Sequence, residues 1–188
     1  ERLLPTIRSR CQRVGFETLS DEHVERHLRE RGVDAERLPW LVRFGRGSLG
    51  RAALAVDYEL DDWLRAVEPR VDQLATGRAD PELGPMLAKL TDDFAGAWVE
   101  AHANASKDAA NKAAARTMFG MLGEICRRRL HDAAAGGLAD DPAEAESQLT
   151  PWLEGVELIA EAERQLGSNV AAALLMDNLC IQWAVAAR

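Results

Sequence analysis

The sequence predicts an all-α fold: a small three-helix unit followed by a five-helix antiparallel bundle. Composition is the first reason. Ala and Leu are abundant while Val, Ile, Tyr and Phe are few, a balance that favours helix over sheet. Periodicity is the second, since apolar residues recur every three or four positions along most of the chain after residue 58. The third is punctuation. Ser, Asp and Pro stand where helices would start, and Gly where they would stop.

The elements follow in order. Ser20-Asp21-Glu22 reads as an N-cap with acidic residues in the first turn, opening a helix with Val24 and Leu28 on its apolar face and Gly32 as its stop. A second short helix starts near Pro39 and carries Trp40, Leu41 and Phe44. The third is capped by Ser48 and should bury Ala52, Ala53 and Val56. Longer helices then begin. Leu60, Leu64, Val67, Val71 and Leu74 form a stripe with Trp63 beside it, Pro69 should kink or restart the helix, and Thr76-Gly77 ends it. Asp80-Pro81 opens the next, through Leu83, Leu87, Leu90, Phe94, Ala97, Trp98 and Ala101. Ser106 caps a helix running through Met118, Leu122, Ile125 and Leu130, with Arg127, Arg128, Arg129 and His131 at its C-terminal end. Residues 135–149 read as an exposed connection. Thr150-Pro151 opens a helix with Trp152, Leu153, Val156 and Ile159, ending at Gly167. Ser168-Asn169 caps the last, which carries Leu174, Leu175, Leu179 and Trp183.

Composition also bounds function. The chain has 188 residues, Lys+Arg 23 against Asp+Glu 31, and a formal net charge of −8. An acidic chain gains little from counterion release, which argues against a stand-alone nucleic-acid binder. Cys11, Cys126 and Cys180 are odd in number and far apart, without a CxxC, so neither a disulfide framework nor a zinc site is expected and the compartment should be reducing. No apolar run reaches the ~18 residues of a membrane span, and no signal peptide is expected. The chain lacks an initiator Met and starts on what reads as the tail of a domain, so a C-terminal piece of a longer protein is expected.

Several motifs invite chemistry. Gly45-Arg46-Gly47-Ser48-Leu49-Gly50 satisfies GxGxxG, but no strand precedes it, so a Gly-Ser helix entry is the better reading. His23 and His27 stand at i and i+4 without a third ligand, and no metal site is expected. His102 and His131 are isolated and expected at the surface. The Arg127–Arg129 triplet could meet phosphate or an acidic partner, or simply charge a helix end. Trp63, Trp98, Trp152 and Trp183 fall on apolar stripes and default to core packing. Near the N-terminus, Leu3, Leu4 and Ile7 are followed by Arg8, Arg10 and Arg13, which by spacing alone is a basic turn beside an apolar anchor.

The run Leu-Pro-Thr-Ile-Arg-Ser-Arg-Cys, residues 4–11, resembles the Ser-Arg-Cys motif of bacterial clamp-loader subunits of the AAA+ superfamily. With Leu3 before it and Gln12 after it, it is most similar to the delta-prime kind of the DNA polymerase III holoenzyme. The resemblance implies that residues 1–14 are the remnant of an ATPase-like core. It likewise implies a helical lid at 15–58 and a collar for oligomerisation at 59–188. It assigns Arg10 as an arginine finger reaching the γ-phosphate of ATP on a neighbouring subunit, with Ser9 and Cys11 completing the motif. Gly-Ser-Leu-Gly-Arg-Ala, residues 47–52, resembles the sensor-2 segment, in which ATP-binding siblings carry an Arg directly after Gly-Ser-Leu. Here Gly50 holds that place and the arginine is displaced to Arg51, as suits a subunit that does not hydrolyse ATP. Asn169 to Leu179 resembles the end of the delta-prime collar. The implied partners are the gamma/tau and delta subunits and, through them, the sliding clamp and primed DNA in the cytoplasm. No cofactor is expected on this chain, and no catalysis by it alone. An ATP-hydrolysing gamma/tau-type subunit and an unrelated all-helical interaction module are the alternatives.

Overall fold

The computed structural model describes residues 10–12, 15–102, 104–136, 141–168 and 170–188. Among them are eight α-helices and no strand. The chain divides into two compact units, Glu1–Asp57 and Tyr58–Arg188.

The first unit contains α1 (Asp21–Glu30), α2 (Leu38–Gly45) and α3 (Leu49–Asp57). Ser20 is the N-cap of α1 in extended backbone, but its hydroxyl bonds His23 Nδ1 at 2.7 Å instead of a backbone amide. Val24 and Leu28 are buried, and Gly32 takes φ 79° after the helix. Pro39 sits in the first turn of α2, which buries Trp40, Leu41 and Phe44. The Ser48 hydroxyl accepts from the Arg51 amide at 3.3 Å and so caps α3. In α3 the buried residues are Ala52 and Ala55, whereas Ala53 and Val56 are half-buried. The reason is Gly45. A Cβ there would lie 3.0 Å from that of Ala52, so α2 and α3 meet closely on the Ala52 side and the contact face rotates toward Ala55.

The second unit is a bundle of α5 (Leu83–Ala101), α6 (Lys107–Ala135), α7 (Pro142–Leu166) and α8 (Ala172–Ala186), with α4 (Leu60–Leu74) packed on α5 and α8. Each bundle helix packs on its sequence neighbour, and α5 closes on α8. Helix α6 lies innermost, burying Ala110, Ala114, Met118, Phe119, Leu122, Ile125 and Cys126 around much of its circumference. Helix α4 ends in a Schellman turn. The amide of Arg78 reaches the Gln73 carbonyl at 3.1 Å, that of Gly77 reaches Leu74 at 2.8 Å, and Gly77 sits at φ 75°.

Several boundaries differ from the sequence reading. Helix α4 runs unbroken through Pro69, which stands within the helix and neither starts nor ends it. Helix α5 begins at Leu83, because Asp80 caps a preceding turn by accepting from the Glu82 amide at 3.0 Å. On α5, Ala97 and Ala101 are exposed, while Thr91 and Ala95 are buried. The expected connection at 135–149 is much shorter. Asp141 caps α7 by accepting from the Ala143 amide at 3.2 Å, with Pro142 in the first turn. Thr150-Pro151 therefore falls inside α7, and the Thr150 hydroxyl turns inward to the Glu146 carbonyl at 2.8 Å. Ala171, not Ser168-Asn169, is the N-cap of α8, and Asn169 lies outside the described residues. Leu174 and Leu153, expected in the core, are 62% and 51% exposed.

Candidate functional site

Arg10 stands in a turn and Cys11 in a bend, both exposed. The remaining motif residues Leu4 to Ser9, together with Arg13, lie outside the described residues. An exposed guanidinium keeps its planar fork of N–H donors available to a carboxylate or phosphate from outside the chain.

The segment from Gly45 to Arg51 shows what its glycines do. Gly45 admits Ala52. Gly47 sits at φ 73°, where a Cβ would come within 2.6 Å of the Leu19 carbonyl oxygen, and its own carbonyl accepts from the Leu19 amide at 3.0 Å. Gly50 has only the Ser48 hydroxyl within 4.0 Å of a would-be Cβ. Two of the three glycines thus serve backbone packing, as the helix-entry reading expects. The Arg51 guanidinium lies 4.4 Å over the Phe44 ring, and Phe44 stacks on Trp40 at 5.0 Å. The cation is held against an aromatic face of its own unit.

The remaining candidates have structural partners. His23 is taken by Ser20, and no group of three or more metal-ligating side chains occurs among the described residues. His102 is exposed but not isolated. It stacks on Trp98 at 4.3 Å, and its Nδ1 lies 2.9 Å from the Trp98 carbonyl. Trp98 continues a run through Phe94 to Tyr58, with Trp63 edge-on to Phe94. His131 is exposed, 3.8 Å from Asp132. The arginine triplet lies inside α6, not at its end, and is engaged within the second unit. Arg127 pairs with Glu124 and Arg128 with Glu68, while Arg129 reaches Asp72 at 2.5 Å and Glu68 at 2.8 Å. The Asp72 hydrogen bond holds the Arg129 guanidinium above its ordinary range. Glu68 and Asp72 belong to α4, so Arg128 and Arg129 join α6 to α4, while Glu124 lies on α6 itself.

The two buried thiols are inert. Burial pushes Cys126 up to about 12. Burial, with Asp177 and Asp80 nearby, does the same to Cys180. Both are therefore protonated at neutral pH.

Two close approaches in the second unit were not legible as motifs. Trp183 donates its indole N–H to the Pro151 carbonyl at 2.8 Å, and its ring occupies the place of a Cβ on Gly155. Asp177 does the same at Gly84, where a would-be Cβ lies 2.8 Å from the Asp177 Cα. Each pairs a glycine on one helix with a larger side chain on α8, a signal that needs the helix pairing to be known first. Trp152 meets Trp183 edge-on at 6.2 Å. No known protein family, curated protein or solved structure matches this chain.

Proposed function

We propose that this chain belongs to a non-catalytic clamp-loader subunit of the delta-prime kind. In this reading the first unit carries the core remnant (1–14) and the lid (15–58 by sequence), and the second is the collar (59–188) that holds a hetero-oligomeric ring. The observation that carries the proposal is the amino-acid sequence from Leu4 to Cys11, matching the motif residue by residue, with Arg10 exposed. A permanently charged planar fork can grip the γ-phosphate of ATP on a neighbouring gamma/tau subunit bidentately, which a lysine cannot copy. Such fingers are worth ~10³–10⁵ in rate in related phosphoryl-transfer systems. Support comes from the all-helical fold and its division into a small and a large unit. The placement of Gly50 where ATP-binding siblings carry arginine supports a subunit that does not hydrolyse ATP itself. Energy from the neighbour's ATP would then open and load the sliding clamp onto primed DNA in the cytoplasm.

Assembly tests the reading. Mixed with gamma/tau and delta subunits, the chain should co-sediment in one complex larger than any component. Independent sedimentation of all components would overturn it.

A further inference from the structure

Helix α7 carries two stripes. One is buried and consists of Gly155, Ile159, Ala162 and Leu166. The other repeats at i, i+4, i+7 and i+11 as Leu149, Leu153, Val156 and Ala160. On that second stripe Leu149 and Ala160 are half-buried, while Leu153 is 51% and Val156 42% exposed. At 100° per residue, Glu146 and Glu157 fall beside this stripe on one edge and Glu163 on the other. None of the three has an ion pair among the described residues. Six Glu and one Arg lie within α7, a net −5 of the chain's −8. The one cation, Arg164, is already paired with Glu161 at 2.5 Å.

Apolar residues at helical spacing, edged by unpaired carboxylates, define their complement. We infer that the outer face of α7 docks an amphipathic helix of another protein, with apolar anchors at i, i+4 and i+7 and Lys or Arg on their flanks. A second copy of this chain would bring the same carboxylates face to face, which like-charge repulsion disfavours. The exposed stripe on α8, Leu174, Ile181 and Val185, has no comparable charged border and specifies no partner chemistry. The inference does not depend on the clamp-loader reading.

The test uses the full chain and a synthetic helical peptide with leucines at i, i+4 and i+7 flanked by lysines. A matched peptide with glutamates in place of the lysines is the control, and fluorescence anisotropy reads binding. The lysine peptide should bind, and more weakly as salt rises. The pair Leu153→Ser and Val156→Ser should raise its Kd at least ~10-fold, and Leu174→Ser with Ile181→Ser less than ~2-fold. Glu157→Gln with Glu163→Gln should weaken binding and flatten its salt dependence. All the substituted positions named are exposed, so circular dichroism should report unchanged folding. No binding of the lysine peptide, equal binding of the glutamate peptide, or indifference to the α7 variants would overturn the inference. So would self-association of the chain that the α7 variants abolish, since the occupant would then be a second copy.

Discussion

Gly155→Ala is the sharpest probe of how α7 and α8 are held together. A Cβ at this position would lie 2.2 Å from Trp183 Cζ2 and 2.6 Å from its Cε2, where ordinary contact starts at 3.4 Å. The ring must therefore move by roughly an ångström, the shortfall between those separations. Trp183 is 1% exposed, so no space is open to it, and displacement stretches its 2.8 Å bond to the Pro151 carbonyl. Overpacking of this kind costs ~1–3 kcal/mol, and loss of the hydrogen bond adds about 1 kcal/mol. Alanine in place of glycine within a helix returns about 1 kcal/mol. The net expectation is a loss of about 1–3 kcal/mol. Gly96→Ala in α5 supplies the comparison. Nothing lies within 4 Å of its would-be Cβ, and it keeps only the helix gain, about 1 kcal/mol of stabilisation. Urea unfolding followed by circular dichroism should move the two midpoints in opposite directions at constant m. If Gly155→Ala is as stable as Gly96→Ala, the ring does not depend on the missing Cβ and the packing argument fails.

Thiol accessibility gives a second expectation: the folded chain should react at one cysteine, the exposed Cys11, and the urea-unfolded chain at all three. Cys126 and Cys180 are held near 12, above their ordinary 9.0, so their contribution to stability is complete below pH 9 and lost as pH rises toward 12. Cys126→Ala with Cys180→Ala should flatten that alkaline decline, and an unchanged slope would show that other groups cause it. In the first unit, Gly47→Ala meets both a φ of 73° and an approach of 2.6 Å to the Leu19 carbonyl. A loss of at least ~1–2 kcal/mol is expected from the left-handed backbone alone, read as early loss of amide-exchange protection in α2 and α3.

The all-helical class was legible because composition and periodicity agreed over long stretches, above all from Leu60 to Leu74 and from Ala110 to Ile125. Local chemistry also read well where it is self-contained, as at Ser48, Ser106 and Gly77. Boundaries failed where a proline stands inside a helix. Pro69 and Pro151 each remove one backbone donor, yet tertiary packing carries α4 and α7 through them. Leu153 and Leu174 misled for a different reason. Helical spacing says that residues share a face, but which face turns inward depends on glycines such as Gly155 and Gly84, which set where helices meet. The arginine triplet had the same ambiguity, since Glu68 and Asp72 come from a helix nearly 60 residues earlier. Of the motif at the N-terminus, Arg10 and Cys11 carried a position that the structure describes, and Ser9 did not.

The central claim concerns Arg10, and ATP turnover in the reconstituted gamma/tau–delta complex tests it most directly. With Arg10→Lys and Arg10→Ala, the assembly should form as with the unaltered chain while turnover on the adjacent subunit falls by orders of magnitude, lysine failing to rescue. Turnover equal to that of the unaltered complex, with assembly intact, would contradict the account.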